Sequence, residues 1–251
     1  MKDKDRPLIG INMDYKAGKG LAAYSSVPSG YYDCILTAGG IPIILPPITK
    51  DQDILPILDR LDGLLLIGGD DLDPRRMGLS FHPSIRMVSE RRENSDRLLC
   101  KMAQQRKMPL LGIGLGMQEM NVCFGGGNYL HLPEDMPKCI PHYDSQGGAH
   151  RHSVEMTPNS KMFAIYGPGE IRVASQHHQG VRRIPPGFRI GATAPDGLIE
   201  AIECKDDSWF AIGVQWHPEN EGHISLDTQL FEAFIHAART KTGKIALAKA
   251  G

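Results

Sequence analysis

The sequence predicts an α/β fold: a mostly parallel central sheet with helices on both faces and an antiparallel extension. Three observations carry that expectation. Short apolar runs at 63–67 and 109–113 have the composition of strands buried on both faces. Segments with helical spacing alternate with such runs over the first half of the chain, which implies parallel strands joined by right-handed crossovers. After about residue 126 the rhythm changes to short strand-like pieces divided by Pro-Gly and Asp-Gly turns, the pattern of antiparallel hairpins.

Taken in order, residues 8–12 form a short strand and 13–28 a polar, glycine-containing loop. A helix over 29–38 stops at Gly39-Gly40. The strand at 41–45 is closed by Pro46-Pro47, and 51–61 is helical. The strand at 63–67 comes next, then a long helix over 90–106, in which Leu98, Leu99, Met102 and Ala103 have helical spacing. After the strand at 109–113, the antiparallel pieces fall at 152–156, 170–174, 187–193, 197–203 and 209–214, with turns at Pro168-Gly169, Pro186-Gly187 and Asp196-Gly197. A last helix over 225–239 closes the fold, and the Lys/Ala-rich tail after Thr240 is expected to fray. With no internal repeat and no Pro/Ser-rich linker, one domain is expected, its core about 7–239.

Of the 251 residues 41% are hydrophobic and 23% charged, enough apolar material for a sizeable core. Twenty-eight Lys and Arg against 29 Asp and Glu leave a formal charge of -1, which gives no electrostatic case for nucleic acid or an anionic membrane. No apolar run approaches the ~18–20 residues that span a bilayer. The charged start, Met1 to Arg6, has no apolar stretch behind it and does not read as a signal peptide. Five cysteines (34, 100, 123, 139, 204) lie scattered without CxxC spacing, so neither a disulfide framework nor a zinc site is expected, and a reducing cytoplasm is the plain reading.

Ligands of open parallel sheets sit at the carboxyl ends of the strands. Three segments are expected there. One is Gly68-Gly-Asp-Asp-Leu-Asp-Pro74; the next is Gly112-Ile-Gly-Leu-Gly-Met-Gln118; the third is Gly213-Val-Gln-Trp-His-Pro-Glu219. In the third, His217 and Glu219 flank a proline at the end of a strand; a carboxylate beside an imidazole fixes its tautomer and raises its basicity, as in nucleophile–His–carboxylate triads. The bland alternative is a capped strand end carrying a surface His and Glu. The second segment has the form of a nucleophile elbow, a sharp strand-to-helix turn that lifts one side chain over a helix N-terminus. Its apex is Gly114, which has no side chain to attack with; otherwise it is a glycine turn that admits close helix packing or an anion.

These segments, with Pro7-Leu-Ile-Gly-Ile-Asn12, Ala38-Gly-Gly-Ile-Pro-Ile-Ile-Leu-Pro-Pro47, Ser175-Gln-His-His-Gln179 and Asp196-Gly-Leu-Ile-Glu-Ala201, make the chain resemble the class I glutamine amidotransferase-like superfamily. Within it the likeness is to the gamma-glutamyl hydrolase-like branch, and it runs from about Pro7 to His236. The resemblance implies a flavodoxin-like sheet and a Cys–His–Glu triad that splits a gamma-glutamyl amide through a thioester, with no cofactor and no metal. It also implies oxyanion donors at Gly68, Gly69 and Leu115, and a pocket reached by Gln118, His177, His178 and Gln179. The expected partner is a small gamma-glutamyl or amino-acid-like ligand; a homo-oligomer or a separate synthetase partner stays open.

The chain departs from that pattern at the elbow. The family's Gly-Ile-Cys-Arg-Gly reads Gly112-Ile-Gly-Leu-Gly116 here, with Gly114 at the Cys position and Leu115 at the Arg position. Losing a triad nucleophile costs on the order of 10⁶ in rate. The expectation is therefore a pseudoenzyme that binds such a ligand; the alternatives are a hydrolase in which His217 activates water directly, and a glutaminase-like subunit of a synthetase. Cys123 lies nine residues past the apex, about 13 Å along a helix at 1.5 Å per residue, too far to substitute, and reads as a small buried hydrophobe.

The remaining polar groups carry less. Asp70, Asp71 and Asp73 read as capping and turn residues. His142, His150 and His152 surround Gly147-Gly148 without a second ligand cluster of zinc spacing. Arg92 either braces the site or belongs, with Arg91, to a solvated helix start.

Overall fold

A computed structural model describes residues 6–18, 20, 22–144, 150–220 and 225–241. The charged start before Arg6, the Gly147-Gly148 pair and the tail beyond 241 lie outside the described residues.

The first half alternates as expected. Its elements are β1 (Leu8–Ile11), a hairpin of β2 (Asp14–Lys16) and β3 (Tyr24–Ser26), α1 (Ser29–Thr37), β4 (Ile41–Ile44), α2 (Asp51–Leu58), β5 (Gly63–Leu66), α3 (Glu90–Arg106), β6 (Leu110–Ile113) and α4 (Leu115–Cys123). The second half holds β7 (Gly127–Tyr129), α5 (Leu132–Asp135), β8 (His150–Met156), α6 (Lys161–Tyr166), β9 (Glu170–Ser175), β10 (Gly180–Arg183), β11 (Phe188–Thr193), β12 (Ile199–Cys204), β13 (Ala211–Val214) and α7 (Ser225–Thr240). One sheet runs in the order β4-β1-β5-β6-β13-β12-β11-β8-β9, with β10 paired to β12 and β7.

Side chains alternate across the buried strands and split the core in two. Ile9, Ile11, Leu65, Leu111 and Ile113 face α1 and α7 through Ile35, Phe231 and Phe234. Leu64, Leu66 and Leu110 face α2, α3 and α4 through Leu58, Leu99, Met117 and Met120. This is the expected α/β architecture, with helices on both faces.

The segment read as a fifth antiparallel piece, 209–214, does two jobs. Its strand β13 runs parallel to β6, with Val214 opposite Ile113, and antiparallel to β12, with Val214 opposite Ala201. It is the seam where the parallel sheet hands over to the antiparallel one, and it sets the carboxyl ends of β6 and β13 side by side.

Elsewhere tertiary contacts moved boundaries. The helix expected over 51–61 stops at Leu58, because the Asp62 carboxylate accepts from the Leu8 N–H at 2.9 Å and the Asp62 N–H donates to the Leu8 carbonyl at 2.8 Å, drawing the chain into the sheet. The loop expected over 13–28 contains the β2–β3 hairpin, held on α3 by Asp14 against Arg92 at 3.3 Å and by Tyr15 beneath the Arg91 guanidinium. Strands β7 and β10 and helices α5 and α6 are too short to show a period in sequence. Among the described residues no helix is long and apolar enough to cross a membrane.

Candidate active site

The turn from β6 into α4 puts Gly114 at φ 55°, ψ -113°, a backbone state that glycine tolerates and a side chain enters only under strain. The Gly114 N–H donates to the Val214 carbonyl at 2.8 Å, tying the turn to β13. Gly116, the second residue of α4, lies so close to the Leu66 backbone that a Cβ would collide with it, which explains the glycine and keeps the helix N-terminus against β5. A Cβ at position 114 would stand 3.3 Å from His217 Cε1 and 3.6 Å from both His217 Nε2 and the Gly68 Cα, a close fit without collision. The apex has the space for a small side chain beside the imidazole and carries none.

His217 follows β13 and is held by its own N–H, which donates to the Ala174 carbonyl at 3.0 Å. Its Nδ1 stands 2.8 Å from Glu219 Oε1. A carboxylate only accepts, so Nδ1 carries the proton and Nε2 presents a lone pair towards the apex. Burial works against the charged imidazole, yet the charge of Glu219 and its hydrogen bond prevail and raise the His217 pKa above the usual histidine value. The pair expected from the sequence is thus joined by a hydrogen bond between His217 and Glu219.

The Gly68–Gly69 loop is fixed from behind. The Gly68 N–H donates to the Tyr31 hydroxyl at 2.9 Å, so it is already engaged and does not point freely into the site; the first N–H groups of α4 have no partner within the helix. Arg92 donates to the Gly68 and Ile67 carbonyls at 2.8 and 3.1 Å. It is fully buried and paired with Asp96 at 3.2 Å. Arg92 therefore braces the loop, and the solvated-helix alternative does not hold. Burial lowers the Arg92 pKa, and the carboxylates of Asp96 and Asp14 outweigh it and raise it; for Asp96 burial prevails over Arg92 and raises the carboxyl.

Between these parts lies a cavity of about 60 Å³, bordered by Gly69, Gly114, Leu115, Gln118, Gln215 and His217. It shares Asp70, Asp71 and His178 with a wider cleft of about 390 Å³ that Arg86 also borders. Gln118 reaches the cavity and donates to Gln215 Oε1 at 3.1 Å. His178 faces it with Nε2 2.9 Å from Asp71. Gln179 borders it, but its amide donates to the Leu130 carbonyl at 3.1 Å, a bracing role. His177 borders it too, yet both ring nitrogens are turned elsewhere: Nδ1 donates to the Gln179 carbonyl at 2.8 Å, and Nε2 stands 3.5 Å from Glu200.

Asp73 caps a short 3-10 turn by accepting from the Arg75 N–H at 3.0 Å, as expected, whereas Asp71 spans the cleft to His178 besides accepting from the Arg86 N–H. None of the residues bordering the small cavity is a cysteine. Cys123 sits at the far end of α4, half-buried, and donates to Glu119 at 3.3 Å, so it is a polar contact and not only a packed hydrophobe. Tyr31, Gln215 and Asn12, whose Oδ1 accepts from the Ile67 N–H at 2.8 Å, escape a reading of the sequence alone. The signal for two of them was present: Asn12 and Gln215 are polar residues at the carboxyl ends of apolar strands. Tyr31 had none.

A strand–turn–helix elbow facing a His–Glu pair across a parallel sheet defines a protein of the glutamine amidotransferase-like class. The chain belongs to the Peptidase C26 family, whose model matches residues 7–219. It is 31% identical over 245 residues to the gamma-glutamyl-gamma-aminobutyrate hydrolase PuuD of Escherichia coli, covering 94% of each chain. It is 33% identical over 244 residues to a Mycobacterium tuberculosis protein named provisionally as a glutamine amidotransferase, covering 95% of this chain and 77% of the other. Among solved structures, a Thermoplasma acidophilum chain described provisionally as one subunit of a GMP synthase superposes with a TM-score of 0.64 at 19% identity, covering 94% of this chain and 96% of that one, which establishes the shared fold.

Proposed function

We propose that this chain is a nucleophile-less gamma-glutamyl hydrolase-like protein that binds a gamma-glutamyl or related small amino-acid-like ligand without thiol-dependent turnover. One observation carries the reading: Gly114 occupies the elbow apex directly opposite His217 Nε2, where a thiolate would have to form the acyl bond. The names of the hydrolase relatives support the ligand class, and the cleft fits it chemically. Asp70 and Asp71 suit an ammonium group, Arg86 a carboxylate, and the N-terminus of α4 a polarised carbonyl oxygen.

The hydrogen bond between His217 and Glu219 favours a second reading, in which His217 Nε2 takes a proton from water as that water attacks the gamma-carbonyl carbon, then returns the proton to the departing amine. A glutaminase-like subunit working with a separate synthetase is the third.

The test pairs a binding measurement with a turnover measurement. The purified protein is titrated by calorimetry with glutamine, glutamate and gamma-glutamyl-gamma-aminobutyrate, and glutamate release is followed over hours on the two amides. Saturable binding with no release above the buffer rate supports the proposal. Release that disappears in His217→Ala establishes the water-based hydrolase instead. No binding by any of the panel contradicts the ligand class.

A further inference from the structure

On the antiparallel side of the sheet, apart from the His217–Glu219 pair, the fold gathers three histidines and a glutamate. His142 lies after α5, His152 on β8, His177 just after β9 and Glu200 on β12. All are buried, Glu200 completely. One atom from each lies within 4.8 Å of every other. We propose that His142 Nδ1, His152 Nε2, His177 Nε2 and Glu200 bind one divalent transition-metal ion, Zn²⁺ foremost, as a structural site.

Proton placement makes the case. The outward nitrogen of each imidazole faces a group that can only accept. His142 Nε2 stands 2.9 Å from Asp196, His152 Nδ1 3.0 Å from the Ser153 carbonyl, and His177 Nδ1 2.8 Å from the Gln179 carbonyl. Each outward nitrogen therefore carries the N–H, and in the neutral rings all three inward nitrogens are lone-pair donors. They converge on a fourth acceptor, the Glu200 carboxylate. His142 Nδ1 is 3.1 Å from His152 Nε2 and 3.2 Å from Glu200; His152 and His177 stand 3.6 and 3.5 Å from the same carboxylate. Among the described residues neither Glu200 oxygen has a well-aligned hydrogen-bond donor, nor has His177 Nε2 a well-aligned partner, although all are buried. Buried polar atoms in that state are costly, and one proton satisfies one pair of acceptors, not four.

A metal ion satisfies all of them at once. Ligands about 2.0–2.1 Å from a tetrahedral zinc stand roughly 3.3 Å apart, close to the four separations above. Outward N–H groups held by a carboxylate and by carbonyls are the second layer that metal-bound histidines require, setting the tautomer and the ring direction. The charges also close: one dication meets the carboxylates of Glu200 and Asp196. A cavity of about 230 Å³ that reaches His142 and His177 offers a way in. His150, the third histidine of the sequence-level group, points away to the Pro141 carbonyl, and His177 and Glu200 take its place. Spacing alone had given no metal site, because the ligands come from four separate segments. A metal here would pin the 177–179 segment, and hence His178, against β12.

The purified protein is treated with chelator, incubated with one equivalent of Zn²⁺ or Co²⁺, desalted, and assayed for metal content, the Co²⁺ visible spectrum and melting temperature. Expected are close to one metal per chain, a tetrahedral Co²⁺ spectrum, and a melting temperature that chelator lowers and Zn²⁺ restores. Asp196→Asn, which leaves every ligand in place, should bind Zn²⁺ about 10–100-fold more weakly, and Glu200→Gln should hold none after desalting. Failure of the chelated wild type to retain either metal overturns the site, as does retention by Glu200→Gln equal to wild type. If Glu200→Gln does not fold, Asp196→Asn and the wild-type melting shift decide: unchanged Zn²⁺ affinity or an indifferent melting temperature overturns it.

Discussion

The two halves of the sheet build their polar centres in opposite ways. At the carboxyl ends of the parallel strands, each contributing residue arrives on a short contiguous segment: Gly68-Gly69 after β5, Gly114 after β6, His217 and Glu219 after β13. In the antiparallel half, His142, His152, His177 and Glu200 come from four separate segments, brought together by the β8–β9, β8–β11 and β11–β12 pairings and by the His142 carbonyl, which accepts from the Ser175 hydroxyl and the His177 N–H. The first arrangement leaves its chemistry written in local motifs. The second buries its chemistry and leaves no spacing to read.

Removing the supports on the parallel side measures how far its centre depends on them. The largest stability effect belongs to Arg92→Met, which removes the cation from buried Asp96 behind the Gly68 loop; a loss of about 3–5 kcal/mol in urea unfolding is expected from a broken buried ion pair. A loss under about 1 kcal/mol would mean the loop does not depend on this brace. Next is Tyr31→Phe, which removes the acceptor of the Gly68 N–H and should cost about 1–3 kcal/mol by the same measurement.

Glu219→Gln has a smaller, pH-dependent effect. In the wild type the His217 pKa is raised, so protonation adds stability that is fully present below the unfolded value of about 6.5 and fades as pH rises through the folded value. With the carboxylate gone, burial alone acts and lowers the His217 pKa. The melting temperatures of wild type and variant should therefore diverge most below about pH 6.5 and converge in alkali, with the His217 imidazole resonance titrating lower in the variant. A difference that does not change with pH would sink this assignment.

Much of the parallel half was legible in sequence because buried strands announce themselves as apolar runs: 63–67 and 109–113 became β5 and β6, and the helix over 90–106 kept its bounds. The His217–Glu219 pair was legible because both residues sit on one strand end. What the sequence withheld was anything made by distant residues. The N–H of Gly68 was not free, because Tyr31 on α1 reaches it. Position in a helix left Arg92 open between a brace and a solvated helix start, and the structure decides for the brace because the β2–β3 hairpin and Asp96 bury it. Strand β13 read as antiparallel because turns precede it, while its pairing with β6 is set by the sheet.

If the parallel-side centre is complete except for a nucleophile at position 114, restoring a thiol there should restore covalent chemistry. The direct test is Gly114→Cys beside the wild type, each mixed with gamma-glutamyl-gamma-aminobutyrate, acid-quenched, and read by intact mass and by glutamate release. Expected is a transient mass increase of one gamma-glutamyl group on Gly114→Cys, with release far above wild type, up to the ~10⁶ that a triad nucleophile contributes, and neither signal in the wild type. Glutamate release by the wild type that matches Gly114→Cys would overturn the nucleophile-less reading.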